Sequence, residues 1–191
     1  MGKKGFTLAE ILITLGVIGV VAAMTLPTLI KNYNNYVTAQ KLKKAYNTLS
    51  NGIRMAEVDY GPMKDWQKGE EIGVYNYFNT YFKPYFKEIK ICDTPTKCGY
   101  KNFDNNKWQD IKFLVRTNDS RLLFKLIDNL IVFYPFSSGT IQYKIFYVDI
   151  NGVQGPNEFE KDVFKFSRST NKSIEPIGKA LKIMQDGWKI K

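Results

Sequence analysis

The hydrophobic pattern of the chain is most pronounced near its N-terminus. From Phe6 to Ile30 apolar and small residues follow one another with few interruptions, and no charged side chain lies between Glu10 and Lys31. About 20 consecutive apolar residues are enough for a helix to cross the hydrocarbon core of a bilayer. The pattern therefore predicts a membrane-spanning helix, and Pro27 is expected to kink or loosen it because proline has no backbone N–H.

An amphipathic helix is predicted to continue from this apolar segment. Apolar residues recur at helical spacing, with charged and polar residues on the other faces, at Leu42, Ala45, Tyr46, Leu49, Ile53 and Ala56. The pattern ends near Asp59, where Gly61 and Pro62 supply stop signals. We expect one helix from Phe6 to about Asp59, which at 1.5 Å per residue is about 80 Å long.

Beyond this helix, the spacing of the hydrophobic residues is first typical of a helix and then of strands. Aromatic residues at helical spacing predict a second helix from Glu70 to Lys90, which Pro84 is expected to kink or split. Runs of β-branched and aromatic residues then predict strands at 111–116, 122–127, 130–136 and 140–150. Asp128-Asn129 is expected to form a turn between two of them, and the tail from Asp186 to Ile190 to add an edge strand.

These elements predict an α+β fold. The long N-terminal helix would span a membrane with its first half and pack its amphipathic second half against a small antiparallel sheet of about three or four strands. The chain has 191 residues, of which 44% are hydrophobic and 15% aromatic, so it can form one globular head with a core of its own.

Composition and charge narrow the function classes. The chain has no histidine, which excludes histidine-dependent catalytic triads and removes the commonest zinc ligand. The formal net charge of +10 is typical of proteins that bind nucleic acid or anionic surfaces, but it also fits a general lysine bias. The lysines are scattered and form no compact cluster, which favours the second interpretation and makes nucleic acid an unlikely partner by sequence.

The two cysteines, Cys92 and Cys98, lie close together in the sequence. Without histidine, two thiols form a weak zinc site and no Cys-His nucleophile. In an oxidising compartment we expect them to pair and to close a short loop, a constraint worth about 2 kcal/mol of stability. Two free, reduced thiols are the alternative.

Glu10 is the one acidic residue inside the apolar segment. An ionised carboxylate in hydrocarbon costs roughly 2.5–3.5 kcal/mol, so Glu10 is expected to have a partner. Thr7-x-x-Glu10 matches a helix capping box, in which Glu10 would accept a hydrogen bond within its own helix. A cleaved secretory signal peptide is another interpretation of the N-terminus, but the residues after Ala22-Ala23 match the small-x-small cleavage pattern poorly.

The segment Lys4-Gly5-Phe6-Thr7-Leu8-x-Glu10, followed by the apolar run and Pro27, resembles the N-terminus of type IV prepilins and of the pseudopilins of type II secretion. The resemblance implies that a dedicated peptidase cuts after Gly5 and methylates Phe6. Glu10 matches the invariant glutamate of that family, and Pro27 its helix-weakening proline. In a fibre, Glu10 would pair with the ammonium group of Phe6 on a neighbouring subunit and so set the register, because an unpaired buried charge costs several kcal/mol.

A second candidate site lies in the tightly turning stretch from Asp149 to Asp162. Asp149, Asn151, Asn157 and Asp162 offer the oxygen ligands that calcium prefers, and glycine and proline supply the turns. The stretch resembles the D-x-N-G-x-x-G-P-N-x-x-G-x-D-x-F loop of pseudopilin-like proteins, except that Glu160 replaces the later glycine. The resemblance implies a calcium site, and a metal-free turn capped by the same side chains is the alternative.

The combined expectation is a structural subunit and not an enzyme. Its parts would be a leader (1–5), a transmembrane and fibre-core helix (6–30), an amphipathic continuation (31–60) and a globular head (61–191). A pseudopilin of the type II secretion pseudopilus is favoured, and a type IV pilin for adhesion, motility or DNA uptake is the alternative. A membrane-anchored enzyme that uses Asp149 and Asp162 as catalytic carboxylates is a third hypothesis.

The resemblance also implies partners and a location. The partners would be further copies and other pilin-like subunits in a helical fibre, the prepilin peptidase, the assembly platform with its ATPase, and the membrane. The chain has no P-loop, so the force for assembly would come from that machinery. It would be a single-pass protein of the bacterial inner membrane with a cytoplasmic N-terminus and an extracytoplasmic head, and later part of a periplasmic or cell-surface fibre.

Overall fold

One helix, α1 (Leu8–Tyr60), contains 53 residues and at 1.5 Å per residue is about 80 Å long. The computed structural model describes residues 5, 7–101, 121–135, 145–168 and 174–190, and the statements below concern these residues. The predicted long helix is confirmed, and it runs through Pro27 without a break. It ends at Gly61, whose φ of 77° is a left-handed conformation that favours glycine.

The two halves of α1 have different surroundings. The large hydrophobic side chains from Leu8 to Ile30 are between 42% and 78% exposed. From Ala39 onwards one stripe of the helix is buried, namely Ala39, Leu42, Ala45, Leu49, Gly52, Ile53 and Ala56. The predicted amphipathic face is therefore confirmed as core, and Tyr46 on its border is partly buried and stacks on Phe166.

The prediction of one helix over residues 70–90 is wrong. This region forms two short helices, α2 (Gly69–Ile72) and α3 (Val74–Tyr81), followed by a 3₁₀ turn at Lys83–Tyr85 that contains Pro84. Gly73 separates α2 from α3 with a φ of 84°, which a helix cannot accommodate. The aromatic residues of the predicted stripe still form core, because Phe78, Phe82 and Phe86 are buried.

A six-stranded antiparallel sheet, larger than predicted, packs against α1. In the described part of the chain its strands are β1 (Lys90–Ile91), β2 (Arg121–Lys125), β3 (Ile131–Pro135), β4 (Ile145–Asp149), β5 (Val163–Ser167) and β6 (Glu175–Pro176). They lie in the sheet in chain order. The predicted strand at 111–116 and the first part of the one at 140–150 lie outside the described residues.

The turn predicted between β2 and β3 is present, whereas the strand predicted at the C-terminal tail is not. The chain turns between β2 and β3 through a 3₁₀ turn at Ile127–Asn129, and Asn129 has the positive φ, 62°, expected there. The predicted edge strand from Asp186 to Ile190 is wrong. Those residues form a turn and irregular backbone, in which Trp188 and Ile190 are partly buried against the core. A one-turn helix, α4 (Pro95–Cys98), follows β1, and helix α5 (Lys179–Gln185) follows β6. Helix α5 buries Ala180 and Ile183, because these apolar residues lie on one side of the helix.

Each face of the sheet contributes side chains to a separate cluster of buried hydrophobic residues. Side chains alternate along each strand, so Phe146 and Val148 of β4 lie in the core that covers α1, whereas Tyr147 lies on the opposite face. That opposite cluster contains Cys92, Cys98, Tyr100, Leu123, Ile131, Phe133, Tyr147 and Val163. The long helix packed against an antiparallel sheet confirms the predicted α+β class.

Candidate functional site

The N-terminal candidate site is built on the first turn of α1. Thr7 is the N-cap residue, and its Oγ1 accepts a hydrogen bond from the backbone N–H of Glu10 at 3.2 Å. Glu10 Oε2 in turn accepts hydrogen bonds from the backbone N–H and the hydroxyl of Thr7, both at 2.8 Å. This reciprocal arrangement is a capping box, so Glu10 has a partner inside its own helix.

The processing residues flank this cap. Gly5 is exposed, and Phe6 lies outside the residues that the structure describes. Cleavage after Gly5, methylation of Phe6 and the pairing of Glu10 with a neighbouring ammonium group stay predictions. Because Thr7 and Glu10 both follow the predicted cleavage position, the capping box would be retained in the mature chain.

The apolar half of α1 is the only described helix that is long and apolar enough, by length and composition, to cross a membrane. Its apolar segment lies near the N-terminus of the chain, and none of it is buried against the head. The segment is therefore free to contact lipid or other helices along its whole circumference. Pro27 lies within this exposed segment.

The predicted disulfide residues lie beside the sheet. Cys92 and Cys98 are joined by a disulfide, with 5.3 Å between their Cα atoms, and both are buried. Cys92 extends β1, where its N–H donates to the carbonyl of Leu123 at 2.8 Å. Cys98 ends the one-turn helix α4 (Pro95–Cys98), and Gly99 beyond it has a φ of 108°. The redox state of the two thiols in the cell stays a prediction.

At the end of β4, Asp149 is fully buried. One carboxylate oxygen, Oδ2, accepts a hydrogen bond from the hydroxyl of Tyr100 at 2.6 Å, and the other accepts one from the backbone N–H of Asn151 at 3.1 Å. Burial raises the pKa of Asp149 to about 7, although the hydrogen bond from Tyr100 opposes this shift. Tyr100 follows the disulfide loop, so the contact joins two candidate sites.

The far end of the same loop is closed by Asp162. Its two carboxylate oxygens accept hydrogen bonds from the backbone N–H groups of Asn157 and Glu158, both at 2.7 Å. Glu160 stands where the pseudopilin-like loop pattern has a glycine. Its φ of 61° shows that the backbone is left-handed at this position, a conformation that favours glycine. Its carbonyl and its carboxylate accept hydrogen bonds from Nζ and the backbone N–H of Lys179, at 2.7 and 3.3 Å. These contacts tie the loop to α5.

The orientation of the Asn157 side-chain amide bears on calcium binding. With its nitrogen turned inwards, Asn157 donates to the carbonyl of Gly152 at 2.7 Å and to Asp149 Oδ2 at 3.2 Å. With its oxygen turned inwards, the side-chain oxygen of Asn157 faces the carbonyl oxygen of Gly152 and Asp149 Oδ2, an arrangement that a bound cation would stabilise. Three oxygens are fewer than the roughly six to eight that calcium takes. The described residues therefore fit a turn held by its own hydrogen bonds, and calcium binding stays a prediction.

The other two predicted calcium ligands, Asn151 and Asp162, form hydrogen bonds with backbone groups of the loop. Asn151 donates to the carbonyl of Gly155 at 3.2 Å, and its own side-chain oxygen is buried without a hydrogen-bond partner among the described residues. Asp162 is held by backbone amides. Among the residues that the structure describes, no three His, Cys, Asp or Glu side chains are placed to hold a metal ion.

Two contacts of this region were not predicted from the sequence. Tyr100 lies 49 residues before its partner Asp149, and no local pattern connects the two. Across the disulfide loop, the hydroxyl of Tyr75 donates to Asp93 Oδ1 at 2.8 Å, and Asp93 also forms an ion pair with Lys97. The only available signal was that a buried aspartate at a strand end needs a hydrogen-bond donor.

Comparisons with known proteins divide the chain into two matched parts. Residues 1–26 match the prokaryotic N-terminal methylation motif, and residues 28–191 match a family of unknown function, DUF6613. No curated protein and no solved structure is significantly similar to the chain. The first match confirms the prepilin-type cleavage and methylation motif and points to a structural subunit. The chain therefore belongs to the DUF6613 family and carries the N-terminal motif of pilin-like subunits.

Proposed function

We propose that this chain is a pseudopilin, a structural subunit that assembles through α1 into the pseudopilus of a type II secretion system. The observation that carries the proposal is the division of α1 into two halves behind a processing motif. The second half holds the head, whereas the residues from Leu8 to Ile30 are left exposed. A bare apolar helix of this length needs either lipid or other helices around it.

The proposed sequence of events starts in the inner membrane. The chain inserts with its N-terminus in the cytoplasm, and a prepilin peptidase removes residues 1–5 and methylates Phe6. Mature subunits then pack with further copies and with other pilin-like subunits, and the assembly platform and its ATPase supply the force. An extracytoplasmic head would fold in an oxidising compartment, in which a disulfide between Cys92 and Cys98 is stable.

Glu10 would have one partner in the single subunit and a second one in the fibre. In the single subunit both of its capping hydrogen bonds end on one carboxylate oxygen, Oε2. The other oxygen is available to the ammonium group of Phe6 on a neighbouring subunit. A fibre with the wrong register would leave that ammonium group unpaired among apolar helices, at a cost of roughly 3–5 kcal/mol. The capping box and the charge pair are therefore compatible in one fibre.

The loop from Asp149 to Asp162 supports a secretion pseudopilus over a surface pilus, because its sequence resembles a pseudopilin loop. A type IV pilin for adhesion, motility or DNA uptake is the second candidate. Deletion of the gene in the native host separates the two. Loss of secreted proteins from the medium is expected for a pseudopilin, and loss of surface fibres, motility or DNA uptake for a pilin.

The variant Glu10→Gln tests the assembly mechanism. Glutamine can keep the capping box but carries no charge, so we expect normal insertion and cleavage and a strongly reduced fibre yield. Processing is measured by the mass of the N-terminal peptide and assembly by the yield of sheared fibres. Glu70→Gln, which removes an exposed carboxylate of the head, is the matched control and should assemble normally. Normal fibre yield from correctly processed Glu10→Gln protein would exclude the charge pair.

A further inference from the structure

Two exposed tyrosines lie on α1 between its apolar half and the head. Tyr33 is 67% exposed and Tyr36 is 63% exposed. Residues three positions apart on a helix lie on the same side, so the two rings project from one side of α1. The first fully buried residue of the helix is Ala39, and the head therefore does not cover either ring.

The residues around these tyrosines are polar. Lys31 is the first charged residue after the apolar run, and the tyrosines are separated from it and from each other by Asn32, Asn34 and Asn35. Tyr33 and Tyr36 are thus the only large side chains with an apolar body between residues 31 and 36. A helix segment surrounded by water gains nothing from two exposed rings, whereas the boundary between lipid and water favours aromatic rings with a polar tip.

The spacing along the helix matches the thickness of a lipid headgroup layer. At 1.5 Å per residue, Lys31, Tyr33 and Tyr36 lie about 1.5, 4.5 and 9 Å beyond Ile30. The headgroup layer on each side of the hydrocarbon core is about 5–8 Å thick. With Ile30 at the edge of the hydrocarbon, the ammonium group of Lys31 reaches the phosphates and the two rings lie within or just above the headgroups.

We propose that Lys31, Tyr33 and Tyr36 form a lipid-interface anchor, which binds the phospholipid headgroup layer on the side of the head and fixes the depth of α1 in the membrane. The anchor is continuous with the exposed apolar half of the helix, and the positive charge of Lys31 complements the lipid phosphates. The inference rests on the membrane insertion in the proposed function.

The anchor has a consequence at the other end of the segment. A hydrocarbon core of about 30 Å holds about 20 helical residues, so with Ile30 at one edge the opposite edge falls near Ile11. Glu10 and its capping partner Thr7 then lie at the cytoplasmic boundary, and Gly5 lies outside the hydrocarbon. The anchor would thus hold the carboxylate out of the lipid and the cleavage position within reach of a peptidase.

The test measures the depth of the anchor in the full-length protein. The variants Tyr33→Trp and Tyr36→Trp are placed singly in nanodiscs of phosphatidylethanolamine and phosphatidylglycerol, with one chain per disc. Tyr75→Trp is the matched control, since Tyr75 is 59% exposed but lies on α3 in the head. The fluorescence of the three native tryptophans is subtracted by using the parent protein. Lipids brominated near the headgroup or near the tail end, and aqueous acrylamide, serve as quenchers.

We expect the added tryptophan at position 33 or 36 to be quenched most by the lipid brominated near the headgroup, and at least twofold less by acrylamide than the control at position 75. Acrylamide quenching equal to that of the control, without quenching by brominated lipid, would overturn the anchor. Protection of the added tryptophan from acrylamide only in assembled fibres would also overturn the anchor. It would show that a second copy of the chain, and not lipid, covers Tyr33 and Tyr36.

Resistance to carbonate extraction separates this inference from the proposed function. If the parent protein stays in the membrane during carbonate treatment but the added tryptophans are exposed to water, the anchor is wrong and membrane insertion stands. If carbonate releases the parent protein, membrane insertion fails, and the anchor fails with it.

Discussion

The hydroxyl of Tyr100 donates a 2.6 Å hydrogen bond to the buried carboxylate of Asp149. This contact joins the disulfide loop to the loop between β4 and β5, two regions that the sequence indicates for separate reasons. Gly99 brings the loops together in a second place, because a Cβ atom at this position would lie 3.3 Å from Cγ1 of Val153. The two loops are therefore expected to respond together to changes in either one.

Replacing Tyr100 with phenylalanine should destabilise the head. Tyr100→Phe keeps the ring but leaves the buried carboxylate of Asp149 with one donor fewer, which costs about 1–3 kcal/mol. Urea unfolding of the detergent-solubilised protein, followed by tryptophan fluorescence, measures this loss. Tyr75→Phe removes an exposed hydroxyl that also donates to a carboxylate, Asp93, and should change stability by less than about 0.5 kcal/mol. Equal effects of both variants would contradict a special role for Tyr100.

The raised pKa of Asp149 predicts a pH dependence of stability. The carboxyl has a pKa of about 7 in the folded protein and an ordinary value of 3.8. Between these values the folded state binds more protons than the unfolded state, so the contribution of Asp149 to the free energy of unfolding falls as the pH rises from about 4 to about 7. The folding equilibrium constant should fall by up to about tenfold per pH unit.

Asp149→Asn isolates this effect from the other groups that titrate in the same range. In chelator, the free energy of unfolding of the variant should vary less between pH 4.5 and 7.5 than that of the parent protein. Superimposable pH profiles of the two proteins would show that Asp149 is not the group responsible.

Gly52 in α1 allows the close approach of an aromatic ring. A Cβ atom at position 52 would lie only 2.3–2.7 Å from three ring atoms of the buried Phe86. Alanine is usually better than glycine in a helix by roughly 0.5–1 kcal/mol, but the clash should dominate, because overpacking a core costs about 1–3 kcal/mol. We expect Gly52→Ala to lower the free energy of unfolding, whereas Asn51→Ala at the exposed neighbouring position should not.

A double-mutant cycle connects this effect to the ring. Phe86→Leu should cost less in the background of Gly52→Ala than in the parent protein, because the smaller side chain relieves the clash. If the losses in the free energy of unfolding caused by Gly52→Ala and Phe86→Leu simply add, the effect of Gly52→Ala does not come from a clash with the ring of Phe86.

The disulfide is expected to form in the exported protein and to support the same region. Peptide mapping without reducing agent should recover Cys92 linked to Cys98, and alkylation of native protein should label neither. Replacing both with serine should cost about 2 kcal/mol, through the lost constraint on the unfolded chain. If the loops are coupled as described, Tyr100→Phe will cost less in this background than in the parent protein. Complete alkylation of the native protein would exclude the bridge.

Calcium binding is expected to depend on Asn157. A ligand present at about 100 times its dissociation constant stabilises the folded state by about 2.7 kcal/mol, so the protein should melt higher in calcium than in chelator. Asn157→Asp places a second negative charge 3.2 Å from Asp149 Oδ2 or nearer, and should lower the melting temperature in chelator and increase the calcium response. If each protein melts at the same temperature in calcium as in chelator, the loop is a metal-free turn.

The sequence by itself determined the features that depend on local pattern. The long helix, its apolar and amphipathic halves, its end at Gly61 and the turn at Asn129 were all predicted, because each follows from side-chain periodicity or from the φ preference of single residues. The processing motif also lies within one short segment and needs no folded head. These features are properties of neighbouring residues, which a sequence displays directly.

The tertiary structure decided what depends on residues far apart in the chain. The aromatic periodicity of residues 70–90 is continuous, but the backbone at Gly73 breaks the helix so that the rings can pack against α1 and the sheet. The tail from Asp186 to Ile190 forms no strand, because Trp188 and Ile190 pack against the core that covers α1, and Trp188 contacts the ring of Tyr46, which no local pattern shows. Tyr100 meets Asp149 across 49 residues, because the burial of a carboxylate requires a donor that only the folded sheet brings close.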